Sequence, residues 1–238
     1  MIYYKMLIQL IKEFQNLENP EQAKICQKFF KTGKGEYGEG DVFFGLTSQQ
    51  VRDVAKKFSN LSLPKIRELL KSKVHEERMC ALRILDGKYK KASDKEKENI
   101  FNFYLQNIKG INNWDLVDLS APNIVGDFLF KRDKNILYKM ARSENLWERR
   151  IAIVSTYNFI RRGEFGNALA ISELLLDDKH DLIHKAVGWM LREVGKRDEL
   201  KLEYFLRSYY EKIPRTTLRY AIERFDEEKR KKWLRKEM

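Results

Sequence analysis

The sequence is poor in the residues that make turns and cross-links. Its 238 residues include only 4 prolines, 12 glycines, 2 cysteines and 3 histidines. An all-β protein needs many turns, and this small number of prolines and glycines therefore argues against that class. Cys26 and Cys80 form no CxxC or Cys/His metal motif, and we expect both to be buried free thiols. The histidines are not spaced as metal ligands either, so we predict no metal and no other cofactor.

The chain also lacks a long uninterrupted hydrophobic run. Its first segment, MIYYKMLIQLIKEF, is amphipathic and is broken by Lys5, Lys12 and Glu13. It has no signal-peptide cleavage pattern and is too short to cross a bilayer. We therefore expect a soluble cytoplasmic protein that does not bind membranes and joins the nucleoid when it is on DNA.

What the sequence does have is charge. Charged residues make up 34% of the chain and are mostly Lys, Arg and Glu, which favour helices, so we predict an all-α protein. The 47 basic residues outnumber the 35 acidic ones, for a formal net charge of +12. Such an excess favours a polyanionic partner, with nucleic acid first. The alternative is charge spread over the surface for solubility.

A repeated pattern runs through the chain from about residue 62. Similar helix openings recur in steps of 37, 34, 36 and 34 residues, at Arg78, Asp115, Arg149, Lys185 and Arg219. Between them lie further amphipathic stretches, at 95–108, 133–142, 167–176 and 198–211. Two helices per repeat at this period indicate an α-solenoid. We predict one HEAT-like-repeat domain over residues 1–238, with a concave basic face lined by the second helix of each repeat.

Residues 1–59 precede the repeats and are predicted to form helices around a glycine-rich loop at 33–46. Asn19-Pro20 and Thr47-Ser48 are typical helix starts. The helix pattern before the loop predicts that Cys26, Phe29 and Phe30 are buried. The stretch Gly33–Asp41 has no GxxxxGK[ST] motif, so we predict no nucleotide cofactor and interpret it as a flexible loop carrying Tyr37.

Basic residues recur at the starts of the presumed inner helices. The set comprises Arg149, Arg150, His184, Lys185, Arg192, Arg215 and Arg219. The start of a helix favours acidic residues, so basic residues there suggest that they bind a ligand. The phosphate backbone of duplex DNA is a suitable ligand. The alternative is that they only solvate the helix ends.

Three of the four tryptophans fall in the second helices of successive repeats, each one helical turn from a charged residue. The pairs are Trp114 with Asp118, Trp147 with Arg150, and Trp189 with Lys185 and Arg192. Packing in the core is the alternative for each indole. Asp115, nearer the helix start, is interpreted as a cap or support. A carboxylate and indole faces suit a reaction that develops positive charge, such as cleavage of an N-glycosidic bond.

The segments that carry these residues resemble a known family. NNWDLVDLSAPNIVGDFL, SENLWERRIAIV and HKAVGWMLREVGKR are similar to the matching segments of the AlkD-like DNA alkylation repair proteins, which are HEAT-like-repeat DNA glycosylases. NPEQAKICQKFF fits the family's N-terminal pattern, and the similarity runs from about Asn19 to Arg224.

The resemblance implies an enzyme that excises cationic alkylated purines, such as 3-methyladenine and 7-methylguanine, from duplex DNA as a monomer. It implies that Asp118, Trp114 and Trp189 are catalytic and that Arg150 grips the DNA backbone. Asp118 would position the attacking water, and the two indoles would pack on the deoxyribose. We also predict DNA contacts from a second group of residues: Arg149, Lys185, Arg192, Phe29, Tyr37 and Trp147.

The chain departs from the family pattern at three places. Asn113-Trp114 replaces two adjacent tryptophans, Phe29 replaces a tyrosine that contacts DNA, and the Gly33–Asp41 connection is longer. These departures concern the range of lesions and the DNA contacts. Two other functions remain open: a non-catalytic protein that binds damaged or branched DNA, and a scaffold for protein interactions.

Overall fold

The computed structural model describes residues 2–237, and over these residues the predicted all-α class is confirmed. Every regular element there is helical, apart from an isolated bridge between Val42 and Val74. The chain divides into two compact units between Ser120 and Ala121. The single domain and the concave basic face stay predictions.

Unit 1, up to Ser120, is built from the first seven helices and a short 3₁₀ turn at Ile108–Gly110. The helices are α1 (Ile2–Asn16), α2 (Pro20–Phe29), α3 (Ser48–Lys57), α4 (Leu63–Leu70), α5 (His75–Lys91), α6 (Asp94–Gln106) and α7 (Trp114–Ala121), whose last residue belongs to unit 2.

Unit 2, from Ala121 onward, begins with a π-helical segment at Pro122–Gly126. Its helices are α8 (Asp127–Leu129), α9 (Asn135–Ala141), α10 (Leu146–Ser155), α11 (Tyr157–Arg161), α12 (Gly166–Leu174), α13 (Asp181–Gly195), α14 (Glu199–Tyr209), α15 (Arg215–Ala221) and α16 (Glu227–Arg235).

The predicted helical repeat is confirmed. The five openings read from the sequence fall in the first two turns of α5, α7, α10, α13 and α15, and α6, α9, α12 and α14 occupy the four stretches between them. The predicted helix starts are also present. Asn19 accepts from the amide of Gln22, and Thr47 forms a reciprocal capping box with Gln50.

Helix α5 is longer than the sequence pattern predicts. The periodicity places its end near Leu85, but the helix continues to Lys91 through Gly87. A glycine inside a helix costs about 1 kcal/mol relative to alanine. Tyr89, only 2% exposed, packs in the core beyond it, and this burial outweighs the cost of the glycine.

The start of α5 is bound to residues 44–46, the last residues of the glycine-rich loop at 33–46. Glu76 is 4% exposed, and its carboxylate accepts from the amides of Phe44, Gly45 and Leu46 at 2.9–3.2 Å. Gly45 has a φ of +80°, and a Cβ there would lie 2.3 Å from the carbonyl oxygen of Asn19, so only glycine fits. This clamp fixes residues 41–46 beside His75, the first residue of α5.

In unit 2, α13 packs against α10, α12, α14 and α15. Gly188 allows the close approach of α15, because a Cβ at this position would lie 2.5 Å from the Cβ of Tyr220 and 2.6 Å from the carbonyl oxygen of Thr217. The contact fixes the height of the next residue, Trp189, on α13.

Two further expectations concern the cysteines and membranes. Cys80 is fully buried, as expected, and burial raises the pKa of its thiol to about 12, whereas Cys26 is only half-buried. Within residues 2–237, none of the helices has the length and apolar character that crossing a bilayer requires.

Candidate active site and nucleic-acid interface

Trp114 and Asp118 lie on one face of α7, one turn apart, and both residues are half-buried. The amide of Trp114 donates to the side-chain oxygen of Asn113 at 2.8 Å, and Asn113 is fully buried. Asn113 therefore acts as the cap of this turn. At Pro122 the α-helix gives way to the π-helical segment, because proline has no N–H to donate to the carbonyl of residue 118.

An aromatic wall leads from the surface of unit 1 to the indole of Trp114. The ring of Phe30 stacks on Trp114 with centroids 5.4 Å apart and planes at 20°, and it stacks on Phe43 at 5.1 Å. Phe29 meets Trp114 edge-on at 5.9 Å and 71°. We call these four residues, Phe29, Phe30, Phe43 and Trp114, the aromatic wall. Of its members, Trp114 shares a face of α7 with the half-buried Asp118.

The predicted burial of Phe29 is wrong, since its side chain is 63% exposed. Phe29 is the last residue of α2, and the chain then turns away through Lys31 at a positive φ of 52°. The ring therefore projects past the helix end instead of into the core. This exposure is compatible with the predicted DNA contact.

His75 lies behind the wall in an ionic network that the sequence analysis missed. Its Nε2 atom is 2.8 Å from Oδ2 of Asp115, and its Nδ1 atom is 3.4 Å from Oδ2 of Asp41. Arg78 donates to the same Asp41 oxygen at 2.6 Å. The imidazole is 3% exposed and stacks on Phe43 at 4.7 Å. Two carboxylates and two cationic side chains thus share one buried cluster.

The network favours the charged forms of His75 and Asp41. Burial opposes the charge on His75, but the attraction and hydrogen bond of Asp115, with a further bond from Asp41, raise the pKa of His75 to about 9. Burial likewise opposes ionisation of Asp41, and its bond to His75 and the charge of Arg78 hold the pKa of Asp41 below its usual range. Near neutral pH the cluster is therefore an ion network without excess charge.

Asp115 is confirmed as a cap and support. Its Oδ1 atom accepts from the amide of Leu116 at 2.8 Å, while Oδ2 faces His75. The carboxylate thus joins the first turn of α7 to the start of α5.

The Gly33–Asp41 loop contains internal hydrogen bonds, and its predicted flexibility stays a prediction. Glu36 accepts from the amide of Gly33 and Glu39 from that of Gly35, both at 2.8 Å. Asp41 closes the loop with its bonds to the network. Tyr37 is half-buried within it, where it keeps a partly exposed ring.

A pair of arginines that the sequence analysis missed lies at the start of α3. Arg83 donates to the hydroxyl of Ser48 at 2.8 Å. Burial and the nearby charge of Arg52 lower the pKa of Arg83. Two like charges held this close favour an anionic ligand that neutralises both. The sequence signal that could have found Arg83 is its spacing from His75, because residues two turns apart lie on the same face of α5.

In unit 2, Trp189 is half-buried on α13 and packs against Tyr157 with ring centroids 5.7 Å apart. The guanidinium of Arg161 lies 5.8 Å from the centroid of the Tyr157 ring. These three residues give unit 2 its own aromatic and cationic surface. Tyr157 and Arg161 were not among the predicted site residues.

Arg149 serves a structural role that the prediction of a DNA contact did not anticipate. Its Nε and Nη2 atoms donate to the Asp178 carboxylate at 2.6 and 3.5 Å. Its Nη1 atom donates to the carbonyls of Ser143 and Glu144 at 2.9 and 2.8 Å. Four of its five N–H groups are thus used within the protein. We therefore interpret Arg149 as a clamp at the start of α10, and these bonds do not test its predicted DNA contact.

Arg150 is also largely enclosed, with 5% of its surface exposed. Its Nη1 atom donates to the carbonyl oxygen of Leu182 at 2.5 Å, in the first turn of α13. Trp147 is 9% exposed and packs in the core of unit 2, so the core alternative describes its position.

Two of the remaining predicted cations, Lys185 and Arg192, are partly exposed and paired with acids. Lys185 lies 2.7 Å from Asp181, one turn earlier on α13, and Arg192 forms an ion pair with Glu223. The Nε2 atom of His184 lies 2.6 Å from the carbonyl oxygen of Asp178. Lys185 and Arg192 keep enough exposure to exchange an acid for a phosphate.

The fold is that of an all-α helical-repeat protein, and α7 carries the Asp118 carboxylate and the Trp114 indole on one face. Residues 10–225 match the DNA alkylation repair enzyme family, and the chain belongs to that family. Its membership supports a role in DNA alkylation repair and an interaction with DNA.

Among solved structures, one described as a predicted DNA alkylation repair enzyme from Enterococcus faecalis has the same fold. The TM-score is 0.69 at 17% sequence identity, over 88% of this chain and 97% of that chain. At this identity the likeness concerns the fold alone. No curated protein matches the sequence.

Proposed function

We propose that the protein is a DNA glycosylase that hydrolyses the N-glycosidic bond of cationic alkylated purines in duplex DNA. It would act as a cytoplasmic monomer in base excision repair. The observation that carries the proposal is the placement of Asp118 and Trp114, both half-buried, on one face of α7, with Trp114 packed against Phe29 and Phe30. Family membership supports the choice of alkylated DNA as the substrate.

The chemistry follows from the charge of the substrate. A purine alkylated at N3 or N7 is cationic, so the electron pair of the breaking glycosidic bond neutralises it and it leaves without a strong acid. The deoxyribose becomes oxocarbenium-like, and the Asp118 carboxylate stabilises that charge. Water then adds to C1′ and passes a proton to Asp118. The products are an abasic site and a neutral base.

The aromatic groups act on the sugar. An indole face attracts positive charge, so Trp114 is proposed to pack against the deoxyribose as its charge develops, and the catalytic role of Trp189 stays a prediction. Phe29, with its exposed ring, is proposed to extend this contact along the strand, and Tyr37 to contact the backbone near it.

The DNA backbone is proposed to be held by cations in both units. In unit 2 these are Lys185 and Arg192, with Arg150 bracing the start of α13 through the Leu182 carbonyl while it presents its small exposed edge. In unit 1 they are Arg52 and Arg83, whose like charges favour a phosphate. Such contacts position the protein without reading bases.

The decisive experiment compares release of 7-methylguanine from methylated duplex DNA by wild type and Asp118→Asn. We expect Asp118→Asn to lose about 100-fold or more of the single-turnover rate, the scale of removing one preorganised electrostatic group. Its affinity for the duplex should be unchanged. Asp94→Asn, at the start of α6, is the matched control and should release base at the wild-type rate.

A second candidate is a protein that binds damaged DNA without cleaving it. The Arg52 and Arg83 pair favours this alternative as much as catalysis, because it predicts affinity for phosphate and nothing about bond cleavage. Steeply salt-dependent binding by a wild-type protein that releases no base would establish this second function instead.

A further inference from the structure

His75 stands between two carboxylates from distant parts of unit 1. Asp41 reaches its Nδ1 atom from the end of the glycine-rich loop, and Asp115 reaches its Nε2 atom from α7. A neutral imidazole carries one N–H and can donate to only one of them, whereas the imidazolium donates to both. The geometry therefore selects the charged form.

The ring of His75 is also part of the aromatic stack. It lies 4.7 Å from Phe43 and 4.9 Å from Phe30, and Phe30 in turn stacks on Trp114. A cation against aromatic faces is attracted to them. His75 thus contacts the wall by its ring and the helix that carries Trp114 by its Nε2 atom.

Asp115 transmits the second contact. It follows Trp114 directly, and its other oxygen holds the amide of Leu116 in the first turn of α7. Three consecutive residues, 114–116, are therefore fixed to α5 through one carboxylate. Asp118 lies within the next turn of the same helix.

We propose that the His75 imidazolium is a positioning residue, which holds Trp114 in the stack and, through Asp115 and α7, sets the direction of the Asp118 carboxylate. The inference rests on the proposed glycosylase function and deepens it. Loss of the proton from His75 releases one of the two carboxylates, and base release falls as a result.

The charged groups that face His75 determine the pH at which it loses its proton. They are Asp41 from the loop, Asp115 from α7 and Arg78 from its own helix, while Phe30 and Phe43 are apolar. Because the two carboxylates raise the pKa of His75 to about 9, wild-type activity should hold through neutral pH and fall above that value.

The test is the pH profile of single-turnover release of 7-methylguanine between pH 6.5 and 10. We expect His75→Gln to be slower than wild type by about tenfold or more at pH 7.5, the scale of a charge-assisted hydrogen bond. Its profile should lack the alkaline fall. Asp115→Asn removes the nearer carboxylate, and it should move the fall to lower pH.

The control for a general loss of packing is Tyr104→Phe. Tyr104 is fully buried, and its hydroxyl lies 3.0 Å from that of Ser120 near the other end of α7. This variant should be less stable but should keep the alkaline fall at the wild-type position. A His75→Gln protein that is folded and matches wild type in rate or in alkaline fall overturns the inference. If His75→Gln does not fold, Asp115→Asn decides: an unmoved fall overturns it.

A readout without catalysis separates this inference from the proposed function. Tryptophan emission of the DNA-free protein should change between pH 8 and 10, and the change should be absent in both His75→Gln and Trp114→Phe. If wild type releases no base, the glycosylase proposal fails, and the emission change alone then supports the positioning of Trp114 by His75. Emission that does not change with pH in wild type overturns the positioning role.

Discussion

The edge of the Phe29 ring meets the indole of Trp114 with centroids 5.9 Å apart, although 63% of the Phe29 surface is exposed. An aromatic ring left exposed at the end of α2 is available to a ligand on the face where Asp118 lies. The helix pattern of the sequence would have placed this ring in the core.

We expect Phe29→Ala to weaken binding to duplex DNA about tenfold, within the range of an aromatic contact with a nucleotide. Since the side chain is exposed, the free energy of unfolding should change little. Phe29→Tyr should bind as wild type does. The measurement is a DNA titration by fluorescence anisotropy, with Leu200→Ala, 79% exposed on α14, as the control. Equal affinities for Phe29→Ala and wild type would exclude Phe29 from the interface.

The stability of the protein should fall as pH rises from about 6.5 to 9. The pKa of His75 is about 9 in the folded protein and 6.5 in its ordinary range, so its contribution is complete below 6.5 and is lost as pH rises through 9. The loss is on the order of 3 kcal/mol. Urea unfolding at each pH measures it.

His75→Gln is the control for this prediction and should show no such loss between pH 6.5 and 9. Burial also raises the pKa values of Cys80 and Tyr104, above ordinary values of 9.0 and 10.0. Their contributions disappear only above pH 9, so the chosen window isolates His75. A wild-type stability that is constant across the window would contradict an imidazolium in the network.

Arg149 and Lys185 should respond to truncation in opposite ways. Arg149→Ala leaves the carboxylate of Asp178, 5% exposed, without its partner, and should lower the free energy of unfolding by about 3 kcal/mol. Its DNA affinity should be unchanged when measured well below the melting temperature. Lys185→Ala breaks an exposed pair worth about 0.3–0.5 kcal/mol, and should instead weaken DNA binding. Weaker binding by folded Arg149→Ala would instead support its predicted DNA contact.

The arginine pair at the start of α3 should be visible in the salt dependence of DNA binding. Each phosphate contact removed lowers the slope of log K against log salt by about 0.9. We expect a reduction of this size for both Arg52→Ala and Arg83→Ala, uniformly across DNA sequences. Arg67→Ala, whose guanidinium lies 5.3 Å from the centroid of the Phe103 ring, is the control. Slopes equal to wild type in both variants would place the pair outside the interface.

What the sequence predicts well is local. The caps at Asn19 and Thr47 bond to residues three positions later, and the recurring openings follow from one helical period. The shared face of Trp114 and Asp118 needs only a four-residue spacing. Such features depend on a few neighbouring residues, so periodicity and turn chemistry are sufficient to find them.

What the sequence does not predict is the choice of distant partners. His75 pairs with residues 34 and 40 positions away, and Arg149 with one 29 positions away. A lone histidine or a basic helix start looks the same with or without such a partner. The prediction that Phe29 is buried is wrong for a related reason. An amphipathic pattern does not show whether the last side chain of a helix packs in the core or projects past the helix end.

The network of Asp41, His75 and Asp115 has a consequence for folding of the nascent chain. Its bonds close loops of 34 and 40 residues, so local helix formation cannot assemble it, and the entropy of loop closure opposes it until the helices of unit 1 have packed. A chain still on the ribosome has α2 and α5 before it has Trp114 or Asp118. Incomplete chains therefore carry Phe29 and His75 without the indole and the carboxylate that these residues contact in the folded unit.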